Sequence, residues 1–152
     1  MGDGGPHSEA SRSPVSAISM TPGQLDVLGA ADQYFGWLEN RGGPWGGSAP
    51  FIALGDNTGA SGTPALVSWG STRMDSFGTD RSNQLYHAYY SGVTWFGDAN
   101  PIATDAVGDP VAVTRGPQQL DVFYRNTNGN VTHKRYDGTT WFTEVVAAAW
   151  VN

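Results

Sequence analysis

The stretch Leu120-Asp121-Val122-Phe123-Tyr124 carries apolar side chains on both faces of an extended chain. A strand of that kind belongs in a sheet packed between two other sheets, not in one wetted on one side. Asp109-Pro110 opens the segment, and Val111-Ala112-Val113 reads as a first strand with proline at its start, where a missing N–H costs least. Pro117-Gln118-Gln119 turns the chain into Leu120–Arg125, a second strand rich in β-branched and aromatic residues. Asn128-Gly129 predicts a two-residue type I′ hairpin, whose central positions both want positive φ. Val131–Tyr136 is then a third strand, Asp137-Gly138 turns again, and Trp141–Ala148 is a fourth.

The same phrase occurs earlier. Met74-Asp75-Ser76-Phe77, Leu85-Tyr86-His87 and Ser91-Gly92-Val93-Thr94-Trp95 repeat it, and Leu25-Asp26-Val27-Leu28, Phe35-Gly36-Trp37 and Arg41-Gly42-Gly43-Pro44-Trp45 form a worn copy. Asp26, Asp75 and Asp121 lie 49 and 46 residues apart, while Trp45, Trp95 and Trp141 lie 50 and 46 apart. In the middle copy Arg81-Ser82-Asn83 replaces the Asn-Gly hairpin without changing its length. A period in this range with four antiparallel strands per unit predicts propeller blades. The expected fold is all-β: three four-stranded repeats at about residues 13–61, 62–107 and 108–152, preceded by a flexible leader over 1–12. Propellers close with typically about four to eight blades. Three are too few, and the open ends would expose apolar sheet faces. The expectation is a homo-oligomer, most simply a homodimer closing a six-bladed ring.

Composition narrows the partners. Charged residues make up 14% of the 152 positions and the net charge is −6, so the clustered Lys and Arg that neutralise nucleic-acid phosphates are missing. No apolar run approaches the ~20 residues that span a bilayer. Residues 1–12 are rich in Gly, Ser and Asp with no apolar core, unlike a signal peptide. With no Cys, disulfides, thiolate metal sites and cysteine nucleophiles are excluded, and the compartment stays open. No cofactor or metal is expected.

The combination of Leu120-Asp121-Val122-Phe123-Tyr124-Arg125, Asn128-Gly129-Asn130-Val131-Thr132-His133 and Asp137-Gly138-Thr139-Thr140-Trp141 resembles the bacterial PLL-type lectins, β-propellers related to Photorhabdus lectin. The resemblance runs over residues 13–149 and is strongest in the third unit. It implies a non-enzymatic protein that binds fucose or related, sometimes O-methylated, monosaccharides in clefts between adjacent blades. Six-bladed fungal fucose lectins have a similar aromatic blade, but where they usually carry arginine this strand has Asp121. Phe96-Gly97-Asp98 and Phe142-Thr143-Glu144 stand where the lectin pattern has Leu-Gly-Gly after the blade tryptophan.

Candidate site residues follow from chemistry that a sugar needs: an apolar floor with a few placed donors and acceptors. Trp45, Trp95 and Trp141 fit either as platforms for a pyranose C–H face or as plugs between blades. Tyr89, Tyr136 and Arg125 add polar reach, although Arg125 aligns with Thr79 and Ala30. His87 and His133 are equivalent by blade and so do not converge on one metal; they read as structural groups or ligand contacts. Asp26, Asp75 and Asp121 repeat in every unit, which suits structure better than a single catalytic centre. They are expected to accept bonds from turn amides or a neighbouring blade. A glycoside hydrolase needs two carboxylates facing one sugar, and Glu39 and Glu144, the two Glu inside the repeats, occupy non-equivalent positions. A protein-binding or self-assembling scaffold is the other alternative.

Overall fold

The computed structural model describes residues 14–31, 34–46, 52–53 and 59–148. The expected leader, 1–12, lies outside them. Among the described residues twelve strands form three four-stranded antiparallel sheets, each a meander in chain order. Blade 1 is β1 (Val15–Ile18), β2 (Leu25–Ala31), β3 (Tyr34–Asn40) and β4 (Ile52–Ala53). Blade 2 is β5 (Ala60–Gly70), β6 (Arg73–Asp80), β7 (Leu85–Tyr90) and β8 (Trp95–Gly97). Blade 3 is β9 (Ala106–Gly116), β10 (Gln119–Asn126), β11 (Val131–Tyr136) and β12 (Trp141–Ala147). The first strands lie against one another, β1 on β5 and β5 on β9, so they are innermost and the blades fan outward from them. No helix long and apolar enough to cross a membrane occurs among the described residues.

Two apolar seams join the blades. Leu28, Phe35 and Trp37 of blade 1 pack on Met74, Tyr86, Ala88 and Tyr90 of blade 2. Val67, Phe77 and Leu85 on the other face of blade 2 pack on Leu120, Val122 and Tyr124 of blade 3. Blade 2 is thus buried on both sides, and β6 is buried from Met74 to Asp80. This is why its sequence does not alternate. Along β6, Met74, Ser76 and Gly78 turn toward blade 1, and Asp75, Phe77 and Thr79 toward blade 3. Gly78 is required by close approach: a Cβ there would stand 2.0 Å from Cε2 of Phe35.

Two local expectations are corrected. The first strands of blades 2 and 3 start at Ala60 and Ala106, ahead of the prolines. Pro64 and Pro110 sit inside those strands, at register shifts where the ladder skips, so the missing N–H breaks no rung. The Asn128-Gly129 turn is not type I′, because Gly129 (φ 82°) has positive φ and Asn128 does not. Instead the loop is wrapped around Asn126, whose Oδ1 accepts from the N–H groups of Asn128 and Asn130, both at 3.0 Å. In blade 2 Asp80 does the same for Ser82 and Gln84, and Asn83 (φ 62°) takes the glycine's place. The side chain at the end of the second strand conserves loop length while the turn residues change.

Candidate functional site

The aspartate repeated in each blade, Asp26, Asp75 and Asp121, is buried and gripped by side-chain donors of its own blade, rather than by turn amides or a neighbour. In blade 1, Trp37 Nε1 donates to Asp26 Oδ1 and Gln24 Nε2 to Oδ2, both at 2.9 Å. In blade 2, His87 Nε2 meets Asp75 Oδ1 at 2.8 Å, and Arg73 donates twice, from Nε at 2.9 Å and Nη2 at 2.8 Å. In blade 3, His133 Nε2 meets Asp121 Oδ1 at 2.8 Å, and Arg115 Nε donates to Oδ2 at 2.7 Å. The aligned Trp37 therefore supplies a ring N–H just where the imidazoles do.

The donors set the charge state. Burial raises Asp26 above the ordinary carboxylate value, and the neutral indole and amide do not offset it. Burial also acts to raise Asp121, but the Arg115 and His133 hydrogen bonds outweigh it and hold its carboxyl low. His87 is clamped a second time, Nδ1 to Asp98 Oδ2 at 2.9 Å. Its burial opposes protonation, yet the bonds to Asp75 and Asp98 prevail and raise it above the ordinary histidine value.

Between blades 2 and 3 these groups wall a cleft of about 530 Å³, within the range of about 300–1,000 Å³ usual for small ligands. On the blade 2 side, Arg73 lies with its guanidinium carbon 3.8 Å from the Tyr89 ring centre and 4.8 Å from that of Trp69. Asp75 fixes two of its nitrogens, and Nη1 has no partner among the described residues. On the blade 3 side stand Trp141, Tyr136 and Gln118. Trp141 packs edge-on against Phe77 at 6.0 Å and His87 at 5.7 Å while remaining half-exposed to the cleft. Tyr136 backs it at 5.1 Å, with its hydroxyl donated to Gly138 O. Gln118 enters from the β9–β10 turn with a left-handed backbone (φ 59°). That is a costly conformation for a residue with a side chain and one often found at ligand sites.

The cleft thus gathers His87, Tyr89, Tyr136 and Trp141 from the sequence-derived candidates, and it adds Arg73, Trp69, Asp98 and Gln118. Trp95 is packed at the seam of blades 1 and 2, 6.0 Å from Trp37 and 5.8 Å from Tyr90, with its Nε1 buried and without a hydrogen-bond partner among the described residues. Arg125 and His133 lie on the far face of blade 3, and Trp45, in the loop after β3, is 54% exposed. The readable sign of Arg73 was its spacing: in a strand, positions 73 and 75 share a face. Among the described residues no grouping of three ligating side chains could hold a metal.

No protein-family model and no curated protein matches the chain. Solved structures do. The six-bladed lectin of Aleuria aurantia, described with a fucose recognition mode, superposes with a TM-score of 0.67 at 17% identity, over 90% of this chain and 46% of its own. The BP39L lectin from Burkholderia pseudomallei gives 0.67 at 18%, over 90% and 41%. A fucose lectin from Kordia zhangzhouensis, solved with methyl-fucoside, gives 0.60 at 12%, over 88% and 99%. The chain spans less than half the length of the first two and nearly all of the third. Its fold is that of the β-propellers, as the repeats predicted, and the matching structures are propeller lectins.

Proposed function

We propose that this chain is a lectin and that the cleft between blades 2 and 3 holds one sugar ring, fucose or a related monosaccharide. The observation that carries this is Arg73. Asp75 holds its guanidinium in one orientation, two aromatic rings flank it, and its free edge faces Trp141 across a space sized for a single pyranose. Trp141 supplies the apolar surface on which a pyranose C–H face packs. Arg73 donates to hydroxyls in charge-assisted bonds that are the stronger class, and Asp98 and Gln118 at the rim add an acceptor and an amide. Preorganisation matters here because a small ligand gains little area and cannot offset the ordering of floppy side chains.

The carboxylates favour binding over hydrolysis. Asp75 is fully buried and Asp98 is bonded to His87, so neither flanks a bound sugar as an acid and a nucleophile must. The likeness to fucose lectins supports the choice of sugar. Single-ring affinity from one such cleft is modest, and multivalent assembly as a ring of six blades from two chains would raise avidity without new contacts. Calorimetric titration of methyl α-L-fucoside tests the reading. Binding that Arg73→Ala weakens at least about tenfold, the equivalent of about 1.4 kcal/mol, is expected. Equal affinity of the variant and the parent would contradict it.

A further inference from the structure

We propose that His87 is a positioning residue of the cleft. As an imidazolium it pins Asp98 at the rim as an acceptor for a sugar hydroxyl; loss of its proton releases Asp98, and affinity falls as pH rises. The sugar part rests on the lectin reading; the clamp itself does not.

Both ring nitrogens of His87 face carboxylates. Nε2 lies 2.8 Å from Asp75 Oδ1, and Nδ1 lies 2.9 Å from Asp98 Oδ2. An ionised carboxylate only accepts, and only the imidazolium carries an N–H on each nitrogen. Both contacts are therefore hydrogen bonds in the charged form alone. The ring is held in its plane, stacked on Phe77 at 5.0 Å and 20° and met edge-on by Trp141 at 5.7 Å. The charged and titratable groups around it are Asp75 and Arg73 of β6, Tyr89 of β7, Asp98 after β8, and Tyr136 across the cleft on blade 3. Among these side-chain types histidine is the one that ordinarily titrates between about pH 5 and 8.

The two carboxylates are unequal once a proton leaves. The Asp75 side chain is 0% exposed and cannot turn to water, whereas that of Asp98 is 39% exposed. The remaining proton stays on Nε2, because a lone pair held against a buried carboxylate has no solvent to relieve it. The Nδ1 lone pair then faces Asp98 Oδ2, two acceptors at hydrogen-bond distance, and Asp98 swings into solvent. The cleft loses its rim carboxylate while Arg73 and Trp141 stay in place. Burial opposes the charge on His87, and the bonds to Asp75 and Asp98 more than offset it. The release therefore comes above the ordinary histidine value of about 6.5.

Titration of methyl α-L-fucoside into the parent, His87→Gln and Asp98→Asn from about pH 5.5 to about pH 9 tests this, spanning the ordinary histidine value. The parent is expected to lose at least about tenfold in affinity over that range, the worth of one hydrogen bond to a charged group. His87→Gln is expected to bind weakly and equally across it. Asp98→Asn is expected to be flat as well, since an amide can present oxygen to the imidazolium and N–H to the neutral ring. A parent without pH dependence, or a dependence that survives in His87→Gln, overturns the proposal. Nitrogen NMR of the parent with isotope-labelled histidine reads the clamp without sugar. Of the three histidines, the one whose signals vanish in His87→Gln is expected as the Nε2–H tautomer at the alkaline end. An Nδ1–H tautomer there overturns the clamp. A parent that binds fucoside at no pH overturns the lectin reading, and the tautomer then decides the clamp alone.

Discussion

Asp75→Asn and Asp26→Asn are the same chemical change at the same place in successive blades, and they should differ sharply in cost. Asp75 is fully buried and accepts three bonds, two from Arg73 and one from His87. Asparagine keeps the shape but offers one acceptor oxygen, and its amide can only donate. At least one N–H is left facing another donor, and a cation loses its counter-ion. A stranded buried donor costs about 1–3 kcal/mol, and breaking a buried ion pair about 3–5 kcal/mol. Arg73 is 26% exposed and can recruit water, which sets the expectation near the lower end, about 3 kcal/mol. Asp26 faces the Trp37 indole and the Gln24 amide. Gln24 can rotate its amide to present oxygen to the new Asn nitrogen, so the cost should be about 1 kcal/mol, that of one ordinary hydrogen bond. Denaturant unfolding at one fixed chain concentration is the assay, since assembly shifts apparent stability. Fucoside affinity should drop with Asp75→Asn, which frees Arg73, and hold with Asp26→Asn. Equal destabilisation by the two would refute the donor-based account of the blade aspartates.

Gly78→Ala should destabilise by about 1–3 kcal/mol as overpacking against the buried Phe35 ring, visible as a thermal midpoint lower by several degrees, about 2–4 °C per kcal/mol. The imidazolium of His87, its value raised in the fold, contributes stability that is full below the ordinary histidine value of about 6.5 and lost as pH rises through the raised one. The stability gap between the parent and His87→Gln should therefore be widest in mild acid and narrow with rising pH; a gap that widens counts against the clamp. Trp141→Ala should abolish measurable fucoside binding by removing the platform. Trp95→Ala should cost stability, about 3–5 kcal/mol for a large aromatic truncation, and leave the affinity of the blade 2–3 cleft unchanged.

The architecture was legible because blade geometry constrains spacing more than identity. Leu85 and Val131 start their strands at matched positions although Asn83 replaced Gly129 in the preceding turn. The cleft was half legible. Looking for the same residue in every repeat finds Asp75, His87 and Trp141, and it overlooks a guanidinium that enters from different strands. Arg73 approaches its aspartate from the start of β6, whereas Arg115 approaches from the end of β9 and Gln24 takes the role in blade 1. The three tryptophans are equivalent in sequence but not in role, because burial depends on what the neighbouring blade presents. Trp95 meets Trp37, Trp141 meets His87 beside an open cleft, and Trp45 is 54% exposed with no ring against it among the described residues. The prolines misled for a related reason: they mark bulges, which periodicity does not distinguish from strand starts.

A crystal structure of the protein saturated with methyl α-L-fucoside tests the central claim most directly. One sugar ring is expected between blades 2 and 3, its C–H face on Trp141 and its hydroxyls accepting from Arg73. An empty cleft at saturation, or a sugar bound only at sites that touch neither residue, would contradict it.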